Sequence, residues 1–199
     1  YDSVVLATGV TLRIAPSAGR DHPKDVTYLQ VLRDHVPVGD TVAILGAGGI
    51  GFDVAEYLTQ SGESATVDAP RFFAEWGIDA THQARGGVVT AQIDPPAREV
   101  TLLQRKESKV GGGLGKTTGW IHRIELKKRG VRMVPGVTYE RIDDAGLHLT
   151  IDEKAQVLDV DIESPLDLSG CLARQRLEIS RNELRTIDGT RLPESLNAL

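Results

Sequence analysis

Four consecutive apolar residues, Val42 to Leu45, run into Gly46, Gly48 and Gly51 at the spacing G-x-G-x-x-G. An unbroken apolar run of this length reads as a parallel strand buried on both faces. Gly46 permits a tight turn out of the strand, Gly48 lets a pyrophosphate approach the backbone, and Gly51 lets a following helix pack closely on the strand. The spacing predicts that helix over Phe52 to Ser61, with Val54, Ala55 and Leu58 on its buried side and Gly62 as its C-terminal cap. The free amides of the first helical turn, Gly49, Ile50 and Gly51, then face the phosphates, aided by the helix dipole. A glycine-rich turn that binds nothing would share the three letters. The strand before and the helix behind favour a dinucleotide site.

The flanking segments predict an α/β chain. Asp2 to Gly9 is another buried-strand pattern, which needs neighbours in a sheet and is expected to belong to one mostly outside this sequence. Thr27 is placed to cap a short helix carrying Tyr28, Leu29, Val31 and Leu32, and Pro37 and Gly39 close that segment. After Gly62 the next strand is delayed, and residues 62–98 read as an insertion with Phe72, Phe73 and Trp76. Arg71 to Ile78 can form a short amphipathic turn or helix. Glu75 and Trp76 either contact a substrate or domain or belong to an aromatic cluster anchoring the insertion, and the second reading is favoured. Glu99 to Arg105 supplies the second strand. A glycine loop from Gly111 to Gly115, a helix from Thr117 or Thr118 to Gly130 and a strand over Val131 to Val134 follow. This β-α-β-α-β order implies a parallel sheet with right-handed crossovers. Val137 to Ile142, Leu147 to Ile151 and Gln156 to Val160 then read as an antiparallel meander. From Ile162 onward the pattern loosens, with only a helix suggested around Leu172 to Leu184. The fold class is therefore a Rossmann-like dinucleotide-binding domain with helices and an added meander, as in two-dinucleotide-binding flavoproteins. Its parts are 1–38, a connector with the end of a preceding domain half; 39–161, the nucleotide domain; and 162–199, an unassigned tail.

Composition bounds the chemistry. With 23 basic and 28 acidic side chains the net charge is −5, so nothing points to nucleic acid or an anionic membrane. Cys171 is the only cysteine, which leaves no intramolecular disulfide and no multi-cysteine metal or cluster site within this chain. A reducing, cytoplasmic location is the expectation. No apolar run approaches the ~20 residues of a membrane-spanning helix.

The choice of dinucleotide turns on the end of the second strand. An acidic residue there accepts a hydrogen bond from a ribose 2′-OH, whereas a basic one meets a 2′-phosphate. Here the strand ends Gln104-Arg105-Lys106, and a guanidinium can grip a phosphate through charge-assisted, bidentate bonds. The spacing from Gly51 exceeds the usual ~20 residues, so the assignment requires 62–98 to be an insertion. With that condition, the residues favour NADPH over NADH, with Gln104, Arg105 and Lys106 at the cofactor.

The segments YDSVVLATGV, DHPKDVTYLQVLRD, VAILGAGGIGFDVAEYL, EWGID, LLQRKESKVGGGLGKTTGWIHR and GVRMVPGVTYERID resemble the C-terminal part of bacterial NADPH-dependent 2,4-dienoyl-CoA reductases, Old Yellow Enzyme-like iron–sulfur flavoproteins. The resemblance covers Tyr1 to about Asp161 and implies a larger enzyme. In that plan NADPH reduces FAD, electrons pass through a 4Fe-4S centre to FMN, and FMN reduces a dienoyl-CoA in unsaturated fatty acid oxidation. Mapped on this sequence, it implies that Thr8 and Gly9 mark the crossing from the FAD domain into the NADPH domain. The FMN barrel, the cysteine cluster and the FAD fingerprint are absent from these residues, so this chain alone is expected to lack reductase activity. After Asp161 the family's returning strand is missing. Lys116 can approach a phosphate, and His122 reads as a surface or interface side chain. Two alternatives remain: a related flavoprotein dehydrogenase acting on another substrate such as an amine, and a non-catalytic dinucleotide-binding module.

Overall fold

The computed structural model describes residues 18–19 and 21–160. The expected first strand with Thr8 and Gly9, and the tail with Cys171, lie outside the described residues. Ten regular elements follow in chain order. They are α1 (Tyr28–Leu32), β1 (Thr41–Leu45), α2 (Gly49–Thr59), α3 (Ala69–Trp76), β2 (Glu99–Leu103), α4 (Gly119–Lys128), β3 (Arg132–Val134), β4 (Thr138–Asp143), β5 (Gly146–Ile151) and β6 (Lys154–Leu158). Strands β1, β2 and β3 form a parallel sheet in that order, and β4, β5 and β6 form an antiparallel one. This is the expected α/β fold with its meander.

The pleat of the parallel sheet explains the layering. Successive side chains of a strand point to opposite faces. Val42 and Ile44 of β1, Val100 and Leu102 of β2 and Met133 of β3 pack with Val31, Phe52, Val54, Ala55, Leu58 and Leu126 from the helices. The alternate residues Ala43, Leu103 and Val134 pack instead with Val137, Ile142, Leu147 and Leu149 of the meander segment. The parallel sheet is thus sandwiched between helices and meander. Leu102 and Leu103, neighbours in sequence, are both fully buried in different cores. Strand β1 is less deeply covered than its apolar run suggests, with Leu45 exposed at 37%. Among the described residues it pairs only with β2, while β2 is flanked on both edges.

Local chemistry sets most boundaries. Thr27 caps α1 in a full capping box with Gln30, as expected. Helix α2 begins three residues earlier than the apolar spacing indicates, because glycines are free to open a helix as well as a turn. It ends at Thr59, and Gln60, not Gly62, is its C-cap. The buried Thr59 hydroxyl donates to the carbonyl of Ala55 at 2.7 Å, closing the helix end without a glycine. Strand β2 stops at Leu103 and not at Arg105, since the chain turns away where β3 ends beside it. Helix α4 has Thr118 at its N-cap without a side-chain hydrogen bond. The last strand spans Lys154–Leu158, two residues earlier than expected, because the tight turn at Asp152 and Glu153 fixes its register against β5.

Residues 62–98 hold no strand of the parallel sheet. Asp68 caps α3 and accepts from the Arg71 amide at 3.2 Å. Lys128 of α4 lies 3.9 Å over the Trp76 ring, and its ammonium donates to the carbonyl of Glu75 at 3.2 Å. Arg129 reaches the Glu75 carboxylate at 4.0 Å. Glu75 and Trp76 therefore anchor the segment to its own fold, as the favoured reading had it.

Candidate functional site: the glycine turn and the basic loop

The site is assembled at the C-terminal edge of β1 and β2, the end of a parallel sheet where ligands of such folds lie. Gly46 leaves β1 at φ +120°, a conformation that side-chain-bearing residues rarely adopt. A Cβ added at Gly51 would fall 1.9 Å from the Gly46 carbonyl oxygen and 3.4 Å from the Leu102 side chain. Only a glycine lets α2 start this close to the turn and the sheet. Gly48 and Gly49 differ: a Cβ at either would meet nothing within 4 Å, so the space above the turn is open.

The first helical hydrogen bond of α2 runs from the Phe52 amide to the Gly48 carbonyl at 3.1 Å. The Gly49, Ile50 and Gly51 amides precede it and carry the positive end of the helix dipole. Gly48, Gly49 and Ile50 are exposed. Open space, oriented donors and no competing side chain together suit an anion such as a diphosphate.

The glycine turn is tied to the end of β2, from which the basic loop leaves. The carbonyl of Leu103 accepts from the Gly46 amide at 3.0 Å and from the Tyr139 hydroxyl at 3.2 Å. Arg105 and Lys106 follow immediately and are exposed. The Arg105 charge is felt at Tyr139: burial pushes that phenol up to about 12, and the nearby guanidinium works the other way. Sequence separates the glycine turn from Arg105 by the whole of 62–98, yet the β1–β2 register places Leu45 beside Leu103. The structure therefore brings Gly46, Gly48, Gly49, Ile50, Gly51, Arg105 and Lys106 to one edge. Gln104 is at that edge too, but its side-chain amide donates to the carbonyls of Lys106 at 2.9 Å and Ser108 at 2.7 Å.

Two features escaped the sequence, the seat of the glycine loop and the company His122 keeps at its interface. The glycine loop sits on the first turn of α2, so closely that a Cβ at Gly111 would be 2.5 Å from the Phe52 ring. Arg123 holds the Gly111 carbonyl at 2.9 Å. Lys116 follows that loop and is exposed. The second feature is His122, which is half-buried at the α2–α4 interface; its ring and the carboxylates of Glu56 and Glu125 have atoms within 4.8 Å of one another. Glu125 is also paired with Arg129 at 3.1 Å. A pattern of helix faces could have suggested this trio only once α2 and α4 were known to pack.

The profile of the family described as pyridine nucleotide-disulphide oxidoreductase matches residues 1–163. The chain belongs to the pyridine nucleotide-disulphide oxidoreductase family. It is thus part of an oxidoreductase family that works with flavin and pyridine nucleotide, and its parallel sheet with helices and meander is the family's dinucleotide-binding fold. Among solved structures, a 2-naphthoyl-CoA reductase in complex with 2-naphthoyl-CoA is similar at 20% identity and a TM-score of 0.54, over 78% of this chain and 18% of that one. The HOCl-induced flavoprotein disulfide reductase RclA from Escherichia coli aligns at 17% identity and a TM-score of 0.43, over 82% of this chain and 32% of that one. A water-forming NADH oxidase from Lactobacillus brevis bound to NADH aligns at 16% identity and a TM-score of 0.40, over 75% and 27%. The first likeness is one of fold, and the chain spans under a fifth of that reductase's length. No described helix is long and apolar enough to cross a membrane.

Proposed function

We propose that this chain is the NADPH-binding part of a larger flavin-dependent reductase. The observation that carries the reading is the bond from the Gly46 amide to the Leu103 carbonyl, which ties the glycine turn to the strand end that leads into Arg105 and Lys106. On this reading the amides of Gly49, Ile50 and Gly51 hold the diphosphate, and Arg105 with Lys106 holds the 2′-phosphate. The open space above Gly48 and Gly49 fits a backbone-held pyrophosphate. NADPH would supply hydride chemistry when bound; the chain's own residues contribute binding, orientation and charge, and none needs to act as acid or base.

The finer reading is a 2,4-dienoyl-CoA reductase of the iron–sulfur flavoprotein type, with hydride accepted by FAD and electrons reaching FMN and a 4Fe-4S centre elsewhere in the parent enzyme. The sequence segments quoted above support it, as does a fold shared with a reductase in complex with 2-naphthoyl-CoA. With one cysteine, this chain holds no such cluster by itself, and the rest of the enzyme is its proposed partner. Thr8 and Gly9 keep their proposed place at the domain crossing. Location in the cytoplasm belongs to the same proposal.

Titration of the full chain with NADPH and NADH, followed by calorimetry, tests the binding claim. Arg105→Ala should weaken NADPH by about ten- to a hundredfold, the worth of one or two charge-assisted hydrogen bonds, and leave NADH nearly unchanged. Equal loss of both, or of neither, would overturn the assignment.

A further inference from the structure

The loop that leaves β2 is already shaped by the chain itself. Its main chain is tied to the end of β3 and the start of β4: the Gln104 amide donates to Val134 at 2.9 Å, Val137 donates to Gln104 at 3.0 Å, and Gly136 donates to Lys106 at 3.1 Å. The Gln104 side chain closes the remaining side. Both of its N–H groups are spent on loop carbonyls, those of Lys106 and Ser108. Because both partners are carbonyl oxygens, only the NH₂ end of the amide can face them. Arg105 lies between Gln104 and Lys106, and its side chain and that of Lys106 remain exposed and without an ion pair among the described residues.

A loop held in this way loses little backbone freedom when a ligand arrives, so only the rotamers of the two cations remain to be ordered. From this we infer that Gln104 is a positioning residue for the choice between NADPH and NADH. It does not grip the nucleotide; it holds residues 104–108 in the shape from which Arg105 and Lys106 meet the 2′-phosphate. The inference rests on the reading of this edge as an NADPH site. It revises the sequence expectation that Gln104 contacts the cofactor directly.

The test is a double-mutant cycle on the full chain with NADPH and NADH as separate titrants. Gln104→Met keeps the volume and removes both donors. It should weaken NADPH by about five- to tenfold with NADH within about twofold, and in the R105A background the same change should cost clearly less, since only the share acting through Lys106 remains. The ratio of the two affinities is the readout, because partial unfolding lowers both equally. If Q104M does not fold, Gln104→Asn carries the same test: its amide is one methylene short of the Ser108 carbonyl, and the same fall in the ratio is expected. An unchanged ratio in Q104M or Q104N, with R105A still selective, overturns the role of Gln104 and leaves the NADPH site standing. A Q104M penalty that adds in full to that of R105A also overturns it, since Gln104 would then act on the phosphate itself. An R105A variant without selectivity defeats both readings together.

Discussion

Gly51 and Tyr139 show how single residues hold the candidate site in shape. At Gly51 the 1.9 Å approach of a hypothetical Cβ to the Gly46 carbonyl leaves no room for the smallest side chain. Gly51→Ala should therefore push the first turn of α2 away from the sheet. Overpacking of this kind typically costs about 1–3 kcal/mol, so a lowered melting temperature and loss of dinucleotide binding are both expected. Tyr139 works from the other side of the sheet, its hydroxyl bonded to the Leu103 carbonyl. Burial raises its pKa from 10.0 to about 12 in the folded chain. A raised folded-state value means that the neutral phenol is favoured by folding, so the stability it lends is complete below pH 10 and is lost as pH rises towards 12. Chemical denaturation across that window should show the decline, and Tyr139→Phe should remove it while costing about 0.5–1.5 kcal/mol at neutral pH for the lost hydrogen bond.

Among the elements, the segment 62–98 is held by short local devices and not by a sheet. The Asp79 carboxylate accepts from Thr81 at 2.8 Å, from Gln83 at 2.7 Å and from Ala84 at 2.5 Å, all backbone amides. These bonds, that to Ala84 first, hold its pKa down at about 2. Asp79→Ala should speed amide exchange over 79–87 while leaving the parallel sheet protected, because none of these bonds reaches the core. Exchange that rose equally in β2 would show that the segment and the sheet unfold as one. The attachment to α4 through Lys128 and Trp76 is separate, and its cation–π geometry fits the anchoring role that the sequence favoured for this aromatic residue.

At the scale of the molecule, the proposed cofactor edge joins three elements, β1, α2 and β2, with the meander bracing it through Tyr139. A ligand that binds only when these are assembled should stabilise the whole. At a hundred times its dissociation constant, NADPH should add about 2.7 kcal/mol to the unfolding free energy, seen as a concentration-dependent rise in melting temperature. NADH at the same concentration should raise it less, by an amount that follows the logarithm of the affinity ratio. A rise that is equal for both would remove the basis for assigning Arg105 to the 2′-phosphate.

Among the described residues, periodicity and glycine placement were enough to determine which stretches form the main strands and helices, and that a G-x-G-x-x-G turn joins β1 to α2, because these are local matters of side-chain pattern and backbone freedom. The β-α-β order and the meander followed from the same signals. What local pattern could not decide was where helix α2 stops, since Thr59 closes it through its own hydroxyl and not through Gly62. Nor could it decide which of Gln104, Arg105 and Lys106 point outward, because that depends on the carbonyls of a loop shaped by β3 and β4. The approach of the glycine turn to the strand end that leads to Arg105 is likewise tertiary. It is a consequence of β1 pairing with β2 in one register across a segment that contributes nothing to the sheet, and only folding brings Gly46 to the Leu103 carbonyl, two residues before Arg105.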